Sequence, residues 1–264
     1  MSIKILIDPG HGGNDPGTSG FGYVEKNLTL QTSFLLKEEL QRCGFKVYMT
    51  REYDSNVELS KRGQMAVDLE VNALISIHFN AGGGTGFEAI YSLNDNSAHW
   101  IADRIFDEVS TVGINMRKVY SKESEIYPNS NYYAVLRACE NIVPGVILES
   151  LFLDSEQDIQ FLNQPNSLKR LAICYAKGIC KAYGVDYVAE SDVVTPAPEP
   201  APSPAPPQGK SYTQNLGEQA IDELVAKGLL NNPDYWKAKD LEHENVPLWL
   251  FFEMTRRLTN YKNN

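Results

Sequence analysis

Apolar positions in the first 188 residues alternate between short unbroken runs and longer amphipathic stretches. Unbroken runs are typical of strands that are buried on both faces, and amphipathic stretches predict helices. The strand-like runs are IKILID (residues 3–8), FKVYMT, NALISIHFN, GFEAIYSL and PGVILES. Strands that alternate with helices favour an α/β fold, in which helices cover both faces of a mostly parallel, twisted sheet.

The first helix is predicted over residues 28–42, with Asn27 as its cap and Gly44 just past its end. Its inner side is expected to carry leucines at positions 28, 35, 36 and 40. The other predicted helices cover residues 56–70, about 97–112, 155–162 and 167–183. Each connects two strands or closes the domain, as the α/β pattern requires.

A proline-rich segment, TPAPEPAPSPAPP, separates this domain from a shorter C-terminal part. Proline at nearly every second position prevents helix and sheet pairing and favours extended polyproline II structure. We therefore expect an α/β domain over 1–188, a linker over 189–210 and a small helical module over 211–264. The stretch PLWLFFEMTRRL in that module is too apolar to stay fully exposed, so it packs internally, binds a partner or forms a homodimer.

The net charge of −10 argues against any general attraction for nucleic acid or for an acidic membrane surface. The sequence has no apolar run of membrane-spanning length. The start, MSIKILIDPG, predicts a first strand rather than a signal peptide, so synthesis in the cytoplasm is expected. Four cysteines without CxxC spacing predict reduced core thiols rather than disulfides or a zinc knuckle.

Four polar residues are placed where the predicted sheet would bring them together. His11 follows the first strand, His78 ends LISIH, Glu149 ends VILE, and Glu25 lies in the loop before the first helix. In α/β sheets of this kind, sites form beyond the carboxyl ends of the strands. Two imidazoles and one carboxylate with an open fourth position would make a catalytic zinc site, and the other carboxylate would be a general base. For each residue taken alone, a structural hydrogen-bonded role is the alternative.

Longer motifs surround these four residues: ILIDPGHGGNDPG, VEKNLTL, LISIHFNA with GFEAIYS following, and VLRACENIVPGVILESLFLDSEQDIQFL. Together they resemble the zinc-dependent N-acetylmuramoyl-L-alanine amidases of the amidase type 3 family, in the family's order and over nearly all of residues 3–184. The resemblance implies one Zn²⁺ per chain, held by His11, Glu25 and His78, with Glu149 as the catalytic residue. The family usually has HANA where this chain has HFNA, and often glycine where this chain has Ser150, but neither difference removes a ligand.

The activity that the resemblance implies is hydrolysis of peptidoglycan at the amide between N-acetylmuramic acid and L-alanine. Zinc would activate a water molecule, and Glu149 would take its proton. Two alternatives stay open: a zinc peptidase that cuts the stem peptide, and a wall-binding protein without activity.

Other polar residues near the motifs have less certain roles. Asn80, close to the second histidine, is a candidate for substrate contact. Arg62 is a candidate for either a substrate contact or a carboxylate partner. Asp8 and Asp15 both lie near His11, and the sequence does not decide which of them supports its ring.

An enzyme of this kind that is made in the cytoplasm must be released before it meets the cell wall. The resemblance therefore suggests a phage endolysin that reaches the wall through a holin or by lysis. A lytic enzyme of a spore-forming mother cell is the alternative. The module over 211–264 is predicted to bind the wall or to dimerise.

Overall fold

The computed structural model describes residues 2–190. The predictions for the helical module over 211–264 and for nearly all of the linker lie outside these residues. Within them the elements follow in the order β1 (Lys4–Pro9), β2 (Ser19–Gly20), β3 (Tyr23–Val24), α1 (Glu25–Arg42), β4 (Lys46–Met49), α2 (Leu59–Asp68), β5 (Ala73–Asn80), β6 (Phe87–Tyr91), α3 (Asn96–Val109), a 3₁₀ turn (Ser110–Val112), β7 (Met116–Tyr120), α4 (Ala134–Arg137), β8 (Gly145–Phe152), α5 (Glu156–Leu162) and α6 (Ser167–Tyr183).

Six of the strands form one sheet in the order β4-β1-β5-β8-β6-β7, and β2 pairs with β3 in a small hairpin. Strands β4, β1, β5 and β8 pair parallel in that order, β6 pairs antiparallel with β8, and β7 pairs parallel with β6. The predicted mostly parallel α/β sheet is therefore confirmed.

Two hydrophobic cores cover the two faces of the sheet. Ile5 and Ile7 of β1 belong to the larger core, together with apolar residues of α1, α3 and α6. Leu6 between them belongs to the smaller core, which α2 and α4 help to form. Because successive residues of a strand point to opposite faces, only an unbroken apolar run can fill both cores.

Helix α1 begins earlier than the sequence predicts. Its first residue is Glu25, so Asn27 is not the cap, and the residue at the cap position, Val24, makes no side-chain capping bond. Loop carbonyls replace that cap, since the N–H groups of Glu25 and Lys26 donate to Thr18 and Pro16. The helix start is therefore set by the preceding loop, and this places the Glu25 carboxylate in the first turn.

Strand β5 ends at Asn80, as the run NALISIHFN predicts, whereas β8 continues two residues past PGVILES. They pair as far as Asn80 and Phe152 across a register shift, so His78 and Glu149 lie inside the strands, directly opposite each other. Strand β7 was not predicted, because it is an edge strand of exposed and half-buried residues without an apolar run. The β2–β3 hairpin and the four-residue helix α4 also carry no clear periodic signal.

The prediction of core thiols is confirmed for the four cysteines, which are all free and buried: Cys43, Cys139, Cys174 and Cys180. Three of them lie in the larger core, and Cys139 lies in the smaller one. Burial raises the pKa of the Cys139 thiol to about 12. Among residues 2–190 no helix combines the length and the apolar character needed to cross a bilayer.

Candidate metal centre

The loop after β1 carries His11 into the site in an unusual backbone conformation. His11 has a φ of 59°, in the left-handed region that non-glycine residues seldom adopt. Glycines are needed on both sides of it because side chains crowd the backbone there. A Cβ on Gly10 would lie 2.3 Å from the His78 ring, and a Cβ on Gly17 would lie 2.5 Å from Oε2 of Glu25. The glycines of the motif therefore let the backbone approach the functional side chains closely.

Asp15 supports the His11 ring, which decides between the two aspartates that the sequence left open. Oδ2 of Asp15 lies 2.8 Å from Nδ1 of His11, so Nδ1–H donates to the carboxylate and Nε2 faces the centre of the site. Burial lowers the pKa of His11, but Glu25 and Asp15 outweigh it and leave that pKa raised.

Glu25 joins the two imidazoles. Its Oε1 lies 3.1 Å from Nε2 of His11 and 2.9 Å from Nδ1 of His78. Backbone N–H groups of Phe79 and Thr18 donate to its two oxygens at 3.0 and 2.8 Å. Burial opposes ionisation of Glu25, but the hydrogen bonds and charges of the histidines lower its pKa to about 2. The site therefore holds a carboxylate that is ionised at neutral pH between two ring nitrogens.

These three side chains fit a divalent metal ion. One ligand atom from each of His11, Glu25 and His78 lies within 4.8 Å of the others, and no other such group occurs in residues 2–190. Ligands around a tetrahedral zinc, with bonds of about 2.0–2.1 Å, lie roughly 3.3 Å apart. The observed contacts of 2.9 and 3.1 Å to Glu25 come close to that spacing. Two neutral imidazoles and one carboxylate are also the donor set of catalytic zinc sites.

Glu149 lies beside this group with an unsatisfied oxygen. It is opposite His78 on the neighbouring strand, and its Oε2 is buried without a hydrogen-bond partner among the described residues. Burial raises the pKa of Glu149 to about 7, against the lowering influence of His78 and with a further rise from Glu25. A buried carboxylate oxygen without a hydrogen-bond partner lowers the stability of the fold. Its presence therefore points to a functional role for Glu149.

Arg62 is buried, which contradicts the prediction that it could contact substrate. Its side chain is 2% exposed, and its guanidinium donates to Oδ1 of Asp8 at 2.8 Å and to the carbonyl of His11 at 2.8 Å. Asp8 also accepts hydrogen bonds from the hydroxyls of Thr50 and Ser76. The carboxylate-partner alternative therefore holds, and Arg62 ties the His11 loop to the sheet.

Arg51 is a residue that the sequence analysis missed. Its guanidinium donates to the carbonyls of Pro9, Gly10 and Lys26, at 3.0, 2.9 and 2.9 Å. It thereby connects the His11 loop to the first turn of α1, which carries Glu25. A cation directly after strand FKVYMT, at the carboxyl edge of the sheet, is the signal that could have revealed it.

Replacing Arg62 by methionine should lower the free energy of unfolding by about 3–5 kcal/mol, because Asp8 would stay buried without its cation. Urea unfolding of the metal-free protein measures this. Lys37→Met is the matched control, since it breaks the partly exposed pair with Glu52 and should cost about 1 kcal/mol or less. Equal effects of the two substitutions would contradict a bracing role for Arg62.

The fold and the site together define an α/β domain with a His–Glu–His candidate metal centre near the carboxyl edge of its sheet. The profile of the N-acetylmuramoyl-L-alanine amidase family, Amidase_3, matches residues 5–181, and the chain belongs to this family.

Individual relatives agree with that membership. The sporulation-specific N-acetylmuramoyl-L-alanine amidase of Bacillus subtilis is 32% identical over 191 residues, which is 72% of this chain and 71% of the relative. The endolysin of Bacillus phage SPP1 is 27% identical over 69% of this chain and 66% of its own length. The crystal structure of an N-acetylmuramoyl-L-alanine amidase from Clostridium difficile 630 superposes with a TM-score of 0.62 at 26% identity, covering 69% of this chain and 97% of that one.

Proposed function

We propose that this chain is a peptidoglycan hydrolase that uses zinc to cleave the amide between N-acetylmuramic acid and L-alanine. The observation that carries the proposal is the buried Oε2 of Glu149, which has no hydrogen-bond partner among residues 2–190, next to the group of His11, Glu25 and His78. Membership of the amidase family supports the choice of bond. The three-residue group would hold the metal, and Glu149 would move the proton.

A zinc ion in this site would polarise the amide carbonyl and lower the pKa of a water molecule to about 7. Glu149 would accept a proton from that water and deliver it to the leaving nitrogen of L-alanine. Burial raises the pKa of Glu149 above that of a free carboxyl group, which favours a residue that acts first as base and then as acid.

The remaining residues hold the site in shape. Asp15 fixes His11 with Nε2 toward Glu25, and Arg51 and Arg62 hold the loop from which His11 projects. Asn80 remains our candidate for substrate contact. Its Oδ1 accepts from the N–H of Ala81, while its amide nitrogen donates to none of residues 2–190. That nitrogen could donate to a substrate carbonyl.

Digestion of purified cell walls tests the proposal. We expect loss of turbidity that a chelator stops and zinc restores, and mass spectrometry should find intact stem peptides with a new L-alanine amino terminus. Fragments cut within the stem peptide, with the lactyl–alanine bond intact, would instead support the zinc peptidase. Wall binding without any chelator-sensitive cleavage would support the non-catalytic alternative.

The setting in which the enzyme works is also part of the proposal. Similarity to a phage endolysin supports host-cell lysis after release through a holin, and similarity to a sporulation-specific amidase supports the mother-cell alternative. We favour the endolysin, in keeping with the sequence analysis. Purified protein should then clear vegetative walls faster than spore cortex. A clear preference for cortex would instead support the mother-cell enzyme.

The predicted module over 211–264 could bind wall material or form a homodimer, and the two roles predict different results for the isolated segment. A wall-binding module sediments with purified walls and stays monomeric. A dimerisation module stays in the supernatant and shows a concentration-dependent mass in light scattering. A monomer that does not sediment with walls would contradict both roles.

A further inference from the structure

An irregularity in edge strand β7 turns a cation toward the active site. The register between β6 and β7 passes from Phe87 opposite Met116 to Glu88 opposite Lys118, so Arg117 is an extra residue on β7. Such a bulge re-aims the side chain of the inserted residue, and bulges are frequent next to active sites. Here Nε of Arg117 donates to Oε1 of Glu88 at 2.5 Å.

The ion pair with Glu88 holds the guanidinium of Arg117 on the same side of the sheet as Glu149. Glu88 lies opposite Glu149 in the antiparallel pair of β6 and β8, and Glu149 in turn lies opposite His78. Directly opposed side chains on one face have Cβ atoms about 4.5–5.5 Å apart. The order across the sheet is therefore His78, Glu149, Glu88 and then Arg117, which puts Arg117 on the side of Glu149 away from the metal ligands.

The guanidinium of Arg117 has unused donors. Its centre lies 5.0 Å from the centre of the Phe152 ring, and its side chain is 36% exposed. Only Nε donates to a residue within 2–190, so the two terminal nitrogens keep their N–H groups for another partner. A planar guanidinium that is held by an ion pair and an aromatic ring matches the two oxygens of a carboxylate.

We propose that Arg117 binds a carboxylate on the peptide half of the substrate; the proposal rests on the amidase function above. The lactyl carboxyl is consumed in the amide that is cleaved, so the nearest free carboxylates lie on the leaving peptide. The first of them belongs to the second residue, D-glutamate, and in some walls it is a carboxamide instead. Two strand spacings, roughly 9–10 Å, separate the Glu149 and Arg117 backbones, a span that two peptide residues and an arginine side chain can bridge.

Two soluble N-acetylmuramoyl peptides test this subsite, one with D-glutamate and one with D-isoglutamine at the second position, both with the γ-carboxyl blocked as an N-methylamide. The wild type should have a kcat/KM about 10- to 100-fold higher for the carboxylate, the range of hydrogen bonds to charged groups, and the difference should lie mainly in KM. Arg117→Gln should remove the preference without changing zinc content, and Arg117→Lys should keep part of it. Lys118→Gln is the matched control, since its ammonium lies over the Tyr120 ring and should not affect the preference.

Removing Arg117 also leaves Glu88, which is 5% exposed, without its cation. The double variant Glu88→Gln/Arg117→Gln removes that buried charge, and it should fold and still lack the preference. Equal kcat/KM of the wild type for the two substrates, or an equal loss on both in Arg117→Gln, would overturn the proposal.

Calorimetric binding of the dipeptides L-Ala-D-Glu and L-Ala-D-isoGln, each with its γ-carboxyl blocked as an N-methylamide so that only the former keeps a carboxylate, separates this proposal from the amidase function. A wild type that cleaves neither muropeptide but binds the carboxylate dipeptide more tightly, with the difference lost in Arg117→Gln, would refute the amidase function and support the subsite. Cleavage of both muropeptides together with equal binding of the dipeptides would refute the subsite alone.

Discussion

Replacing Glu149 by glutamine should lower the rate of wall lysis by about 10²–10⁴-fold, the usual contribution of a general acid–base group. Glutamine has nearly the same shape but cannot accept the proton of the attacking water. Its amide is neutral, so burying it without a partner costs less than burying the ionised carboxylate. We therefore expect the variant to be at least as stable as the parent and to keep its zinc. Initial rates of turbidity loss and thermal unfolding measure the two effects.

The control for this substitution is Glu52→Gln, which also removes one carboxylate but on an exposed side chain paired with Lys37. It should lyse walls at the parent rate. If Glu149→Gln lyses walls nearly as fast as this control, Glu149 has a structural role and another group moves the proton.

The second large effect concerns the metal. Replacing His11 or His78 by alanine removes one of three protein ligands and should weaken zinc binding by more than about 100-fold, because loss of a supporting hydrogen bond alone costs about 10–100-fold. Asp15→Asn alters only the hydrogen bond that supports the His11 ring, so it should weaken zinc binding by about 10–100-fold. Zinc content after dialysis against a zinc buffer, measured by elemental analysis, ranks the variants.

His99→Ala is the control, because it removes a histidine that lies outside the proposed metal site. His99 stacks on Tyr91 and pairs with Asp103 on the surface of α3, and its loss should leave zinc binding unchanged. If the His11 and the His78 variant both keep the zinc content of the parent, these histidines are not metal ligands, whatever the activity of the variants.

The sheet and the positions of His11, His78 and Glu149 could be predicted because two physical rules constrain them, whereas Glu25 is named as a ligand through the resemblance to the amidase family. Strands buried on both faces must be apolar throughout, as in β1, β5 and β8, so they are visible in the sequence. The carboxyl ends of parallel strands then meet at one edge, which brings His11 and His78 together although they are far apart in sequence. The structure places them with ring centres 4.9 Å apart.

The start of α1, the partner of His11 and strand β7 depend on tertiary contacts, which a local sequence pattern does not predict. The start of α1 is set by carbonyls of Pro16 and Thr18, and the loop that carries them has no periodicity. The choice of Asp15 over Asp8 depends on the turn that brings Asp15 back to His11, while Asp8 is engaged by Arg62. Edge strand β7 is polar because only one of its edges is paired, so its sequence resembles that of a loop.

The separation of the cysteines between the two cores has a practical consequence for studying motion in the domain. Only a thiolate reacts readily with alkylating reagents. Burial shields all four thiols and raises the pKa of Cys139, Cys174 and Cys180. Labelling of the native protein must therefore wait for a core to open. The labelling rate of Cys139 reports opening of the core that α2 and α4 cover, and that of Cys174 reports opening on the opposite face. The natural sequence thus contains separate kinetic probes for its two faces, without any engineered label.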